Sequence, residues 1–229
     1  MSAFFSFKYA DCVRLLTDAG WYSADGSLVA VSSKVISLDT LPVAITGRGL
    51  NGLETFETIT EMCVAAEDAE TVDDVLRAFQ VFFDGMAIRG DRDFEFLIAA
   101  WSETQGAVHF VVACHKHWKV PTFKLIPLGE QILAGPVIGW GELAHLGIQP
   151  EAALEADFPL RHGAAVMTAM RKKASRIPGS RRDLFLVGGH CDLTTVTAGG
   201  VTTTKLCEWG DEIGKPIDPS RGLKEAVNV

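Results

Sequence analysis

The chain has 229 residues, 48% of them hydrophobic, at a mean hydropathy of +0.19, and its 29 acidic and 21 basic side chains give a net charge of −8 at pH 7. This composition excludes an extended disordered chain and describes a well-buried globular protein of one domain, residues 1–229, with a polar tail from about residue 211. The acidic balance argues against a nucleic-acid surface, which needs a basic stripe to offset phosphate repulsion.

No membrane is expected, because the apolar runs FLIAAW and AVHFVVAC fall far short of the roughly 18 residues that span a bilayer. The start, MSAFFSFKYADC, has no basic region and is broken by Ser, Lys and Asp, so no signal peptide is read there and a cytoplasmic location is expected. The cysteines, Cys12, Cys63, Cys114, Cys191 and Cys207, are odd in number and form no CxxC, which fits buried or inert thiols in a reducing compartment.

Alternation of apolar and polar residues over AFFSFKY and CVRLLTD, with a turn at Ala10-Asp11, predicts a first hairpin. LVAVSSKVISL and PVAITG, joined by residues 39–42, predict a second. Two amphipathic helices follow. The first carries Leu53, Phe56, Ile59, Thr60 and Cys63 on its apolar face, and the second Val72, Val75, Leu76, Phe79 and Phe82-Phe83, with Thr71 as N-cap before the acidic turn Asp73-Asp74.

DFEFLIAAWSE and AVHFVVACHKHW predict another hairpin, whose apolar runs suggest strands covered on both faces, and VPTFKLIPL a further strand. Helical pattern resumes in QPEAALEADF and RHGAAVMTAMRKKA, and a hairpin around Gly199-Gly200 closes the sequence. Strand runs and helix runs in this order argue α+β, and two stacked sheets with helix pairs outside would bury every apolar face as a four-layer αββα sandwich.

Several apparent motifs carry no chemistry. His115 and His117 could point the same way from one strand, but no acidic or Cys partner stands at matching spacing, so no metal and no cofactor is expected. His190 and Asp192 read as a structural pair, with Cys191 between them on the opposite face. GPVIGWG lacks the Lys-Ser/Thr ending of a phosphate loop and reads as a turn before a helix. The basic cluster of residues 171–182 reads as a solvated helix end and loop.

One constellation does. Ser2 directly follows Met1, and removal of Met1 would leave a hydroxyl and a free α-amine on one residue. Asp18 stands sixteen positions after Ser2, and Lys34 sixteen after Asp18. The stretch from Ser2 to Gly47 resembles the N-terminal region of proteasome-type β subunits and their bacterial relatives, the N-terminal-nucleophile hydrolases. SKVISLDTLPVAITGRG resembles that family's Lys-strand, turn, strand and glycine, with FLIAAWSETQGAVHFV and HCDLTTVTAGGV similar to later hairpins.

The resemblance implies a proteasome-like αββα sandwich, a homo-oligomer that can be a ring, and a peptide or small amide as substrate. It implies Ser2 as nucleophile, Asp18 and Lys34 as catalytic partners, and Gly47 as oxyanion donor. The turn is one residue shorter than usual, which leaves Gly49 as the other candidate. Trp21, Tyr22 and Arg48 lie where substrate side chains would pass, and an Arg48 facing the pocket would favour an acidic substrate.

The chemistry suits the spacing. An α-amine titrating near pH 8 is partly neutral at pH 7 and can take the hydroxyl proton of its own residue. A nearby ammonium lowers that amine's pKa, and a carboxylate fixes the ammonium. Two departures favour an alternative, a catalytically inactive structural or assembly protein of the same fold. Ser replaces the family's usual Thr, and FLVGGH puts Val187 or Gly188 where a late Asp and a Ser-Gly pair are expected, leaving Asp183 and Asp192 as distant substitutes.

Overall fold

A computed structural model describes residues 3–49, 51–89, 93–115, 120–129, 131–176 and 183–226. The first half runs β1 (Phe4–Lys8), β2 (Val13–Asp18), β3 (Gly20–Tyr22), β4 (Leu28–Val31), β5 (Ile36–Ser37), β6 (Val43–Gly49), α1 (Gly52–Val64), α2 (Val72–Arg89), β7 (Phe94–Ser102) and β8 (Gly106–Ala113). The second half runs β9 (Ile126–Pro127), β10 (Gln131–Ala134), α3 (Trp140–Ala144), a 3-10 turn at Pro150–Leu154, α4 (Phe158–Arg171), β11 (Ser175–Arg176), β12 (Asp183–Leu184), β13 (His190–Thr197), β14 (Gly200–Trp209) and β15 (Leu223–Ala226).

The result is a mixed α/β structure with antiparallel sheets and, among the described residues, four α-helices. A six-stranded sheet has the order β10-β1-β2-β13-β14-β15, and a five-stranded sheet the order β5-β6-β7-β8-β9. β3-β4 and β11-β12 are separate ribbons. No described helix is long and apolar enough to cross a membrane.

The period of two along each strand sorts the core. On β6 and β7, Val43, Ile45, Phe96, Ile98 and Ala100 face α1 and α2, packing with Ile59, Met62, Val75, Phe79 and Phe83. The intervening Ala44, Leu97 and Ala99 turn the other way and meet Phe4, Val13 and Leu15 of the six-stranded sheet. On the far face of that sheet, Phe5, Phe7, Leu16 and Leu193 pack with Phe158, Val166, Met167 and Met170 of α4. A polar pin crosses between the sheets: the Ser6 hydroxyl donates to His109 Nδ1 at 2.7 Å, and the ring's Nε2–H bonds the Gly129 carbonyl. A carbonyl can only accept, so Nε2 carries a proton, and burial lowers the ring's pKa, which favours the neutral form with Nδ1 as acceptor.

Several expectations are corrected. The long strand predicted over 28–38 is two strands in two sheets, because β4 pairs β3 while β5 pairs β6. The buried face of α1 is Thr55, Thr58, Ile59 and Met62, while Leu53 and Phe56 are exposed. Thr55 and Thr58 tolerate burial because their hydroxyls donate to the Asn51 and Glu54 carbonyls one turn back. The apolar face of α2 matches its pattern, and Thr71 Oγ1 accepts from the Asp74 N–H as expected of an N-cap.

QPEAALEADF forms the 3-10 turn followed by the start of α4, and the glycine-rich stretch before it contributes the short α3. VPTFKLIPL yields only the two-residue β9, and the tail after 211 returns to the sheet as β15 against β14.

Candidate functional site

β2 ends at Asp18, whose side chain is fully buried. Around its two oxygens converge the N–H groups of Ala3 at 3.0 Å, Gly20 at 3.2 Å and Gly188 at 3.3 Å, the Tyr22 hydroxyl at 3.0 Å, and the Lys34 ammonium at 2.9 and 3.0 Å. A carboxylate needs this density of donors to remain ionised out of water. The donors come from four pieces of chain, with Gly20 and Tyr22 both on β3 and Lys34 beyond β4. Ala3 precedes β1, Gly20 opens β3 and Gly188 leads into β13, which pairs β2 with Cys191 opposite Asp18. Gly20 has a steric reason to be glycine, since a Cβ there would run into the Tyr22 hydroxyl.

Lys34 lies on the connection between β4 and β5, anchored where Ser32 N–H donates to the Ala19 carbonyl at 3.0 Å. The break in the predicted long strand is what brings it to Asp18. Its side chain is 4% exposed and passes the Tyr22 ring, with the ammonium 5.3 Å from the ring centroid. Burial pushes the Lys34 pKa below the usual lysine range, and the Asp18 carboxylate opposes the shift. Burial beside that same carboxylate pushes the Tyr22 phenol far up, so it stays a donor.

A cavity of about 60 Å³ opens beside Lys34. Its walls include Gly20, Trp21, Tyr22, Gly47 and Arg48, together with Phe56 from α1. The register shows where the Gly47 amide points. Trp101 N–H donates to the Pro42 carbonyl, so the even-numbered residues of β6 bond β7 and the odd-numbered ones turn their N–H groups to the opposite edge. On that edge β5 pairs only with Ala44 and Ile45, leaving the Gly47 N–H beyond its end, on the Lys34 side. A Cβ at Gly47 would collide with the Phe96 ring and lie 3.0 Å from the Glu95 carbonyl.

The structure therefore gathers Lys34, Gly47, Trp21, Tyr22 and Arg48 around one cavity, with Asp18 directly behind Lys34. Ser2 lies outside the described residues, as does His117. Trp21 meets Phe56 edge to face at 6.1 Å, and Arg48 forms an ion pair with the buried Glu95. Gly49, the other glycine candidate, is also on the wall, packed against the Asp93 carbonyl and Thr55.

What sequence reasoning missed is the floor under Gly188. Arg171, expected in a solvated helix end, is 1% exposed and forms a bidentate pair with Asp211 at 2.5 and 2.8 Å. It also donates to the Val187 carbonyl at 2.8 Å, while the Gly189 N–H donates to Asp211 at 2.8 Å. These bonds fix residues 187–189 so that the Gly188 amide reaches Asp18. No local pattern signals a pair forty residues apart in sequence. Asp192 does not take the place of the late Asp, since it pairs with His190 at 3.2 Å, and Asp183 sits on the β11-β12 ribbon.

No protein-family model matches the chain, and no curated protein matches it. Solved structures do. An Anbu (Gly-1) mutant from Hyphomicrobium sp. strain MC1 superposes with a TM-score of 0.64 at 11% identity, over 93% of this chain and 90% of that one. Anbu (ancestral beta-subunit) from Yersinia bercovieri gives 0.61 at 9% identity, over 89% and 87%. The family membership expected from the Ser2 to Gly47 stretch is thereby corrected. No sequence family supports it, and a likeness at 9–11% identity reaches only the fold. What the chain shares with these Anbu structures is the fold.

Proposed function

We propose that the protein hydrolyses amide or peptide bonds, with Ser2 as nucleophile once Met1 has been removed. The observation that carries this reading is the buried Lys34–Asp18 pair, tied to the Ala3 N–H one residue from Ser2 and standing beside a cavity that Gly47 lines. The neutral α-amine of Ser2 takes the proton from its own Oγ as Oγ attacks the substrate carbonyl carbon. The Gly47 N–H holds the oxyanion, the α-ammonium returns its proton to the leaving amine as the C–N bond breaks, and water hydrolyses the acyl ester. Lys34 supplies positive charge that keeps the amine deprotonated, and Asp18 holds Lys34 in place. Trp21, Tyr22 and Arg48 form the substrate wall in this reading.

The four-layer αββα arrangement and self-association into a homo-oligomer belong to the same proposal. The likeness to an ancestral beta-subunit and the exposed Leu53, Val64, Val81 and Ile88 on α1 and α2 support them.

Intact mass of the purified protein, with and without a β-lactone or epoxyketone, tests the proposal. Loss of Met1 and an inhibitor adduct at Ser2, absent in Lys34→Ala, are expected. Retained Met1 with unmodified Ser2 would overturn it in favour of a structural or assembly protein of this fold, which the absence of a late Asp and Ser-Gly pair favours.

A further inference from the structure

A second cluster lies at the open end of the β7–β8 hairpin, where Asp93 meets the consecutive Cys114 and His115 across the two strands. Antiparallel pairing places Glu95 opposite Ala113, and Cys114 N–H donates to the Phe94 carbonyl at 3.2 Å, so Asp93 comes alongside Cys114 and His115. The Cys114 sulfur lies 3.4 Å from His115 Nδ1 and 3.9 Å from an Asp93 oxygen, and that oxygen lies 3.8 Å from Nδ1. A point just off the plane of the three atoms lies about 2.1 Å from the nitrogen and oxygen and about 2.3 Å from the sulfur, the lengths of zinc bonds to these elements. Sequence spacing gives no sign of this set, because Asp93 reaches it only across the hairpin.

The surroundings point to the same ligand. His115 Nε2 lies 2.9 Å from Oε1 of Glu95, which is only 4% exposed. A carboxylate behind a histidine fixes the tautomer with Nε2 protonated, leaving the Nδ1 lone pair facing Cys114 and Asp93. The Phe94 N–H donates to the Cys114 sulfur at 3.1 Å, while burial pushes the thiol up, so the proton leaves when a cation takes its place. Without a cation the Cys114 thiol faces the Asp93 carboxylate as a donor, and with its proton lost the two side chains together neutralise a divalent ion. His115 and Asp93 are 40% and 47% exposed, which leaves a path for the ion and room for water as a fourth ligand.

We propose that Asp93, Cys114 and His115 form a binding site for a divalent cation of the zinc class, oriented by Glu95. The mixed sulfur, imidazole and carboxylate set selects a borderline-soft ion over calcium or magnesium. Cys114 binds as thiolate and releases its proton to solvent. Glu95 also pairs with Arg48 on the wall of the candidate catalytic cavity, so the ion holds that wall through a single carboxylate. The site stands whether or not Ser2 is a nucleophile.

Cobalt(II) is the probe, titrated into full-length protein freed of metal by a chelator and kept anaerobic. One cobalt per chain and a thiolate-to-cobalt charge-transfer band, displaced by zinc, are expected. Cys114→Ser should abolish the band, and Asp93→Ala and His115→Ala should weaken binding at least tenfold. All three positions are partly exposed, so far-ultraviolet circular dichroism should be unchanged. Glu95→Gln should weaken binding by about 10–100-fold. Absence of the band, its persistence in Cys114→Ser, or undiminished affinity in His115→Ala would overturn the site. Undiminished affinity in Glu95→Gln would overturn the orienting role given to that residue.

Discussion

Asp18 and Lys34 touch each other, yet the structure gives the two side chains unequal support, and their removal should therefore have unequal effects. Lys34→Met leaves the Asp18 carboxylate with three backbone N–H groups and the Tyr22 hydroxyl still bonded to it. The loss is that of a charge-assisted contact, about 1.5–3 kcal/mol. Asp18→Asn leaves the Lys34 ammonium buried without a counter-charge, since among the described residues it hydrogen-bonds Asp18 alone. Orphaning a buried charge costs about 3–5 kcal/mol. For a chain of this size that lowers Tm by about 6–20 °C, at 2–4 °C per kcal/mol. The double variant contains no orphaned charge and should lie closer to Lys34→Met than to the sum of the two. Urea unfolding of the four proteins, followed by tryptophan fluorescence, measures the cycle. A larger loss for Lys34→Met than for Asp18→Asn, or strict additivity in the double variant, would refute the reasoning.

Gly47→Ala should lower stability by about 1–3 kcal/mol, read from the urea midpoint, because its Cβ meets the fully buried Phe96 ring. Gly85→Ala, in the middle of α2 with nothing within 4 Å of the added atom, should raise it by up to about 1 kcal/mol. Burial lowers the His109 pKa, so the unfolded chain binds the proton more readily; His109's contribution to stability is complete above about pH 6.5 and is lost as pH falls through the folded value. Each unit of lowering is worth about 1.4 kcal/mol. The difference in urea midpoint between pH 7.5 and pH 5 should accordingly be smaller in His109→Gln than in the parent protein, and an equal difference would count against it. If the hydrolase proposal holds, the acid limb of kcat/KM should move to higher pH in Lys34→Met, because without the ammonium the Ser2 α-amine keeps its proton more tightly. An acid limb that does not move would exclude the Lys34 charge from that role.

The sequence by itself determined the features that repeat locally. Period-two alternation marked β1 and β2, continuous apolar runs marked β7 and β8, the Gly199-Gly200 turn marked the β13–β14 hairpin, and the period of α2 with its Thr71 cap marked that helix. The resemblance carried by the stretch from Ser2 to Gly47 singled out Asp18 and Lys34, and the structure brings these two side chains into contact. Tertiary structure alone decided the rest. α1 buries Thr55 and Thr58 and leaves Leu53 and Phe56 exposed, because hydroxyls satisfied one turn back can face the sheet, and Phe56 joins the cavity wall. Residues 28–38 divide between β3 and β6 because pairing partners, not alternation, choose a strand's sheet. Arg171 reaches Asp211, Gly188 reaches Asp18, and Asp93 reaches Cys114 across tens to more than a hundred residues. Such contacts leave no periodic trace in the chain, because they depend on where the sheets bring loops together rather than on the residues beside them.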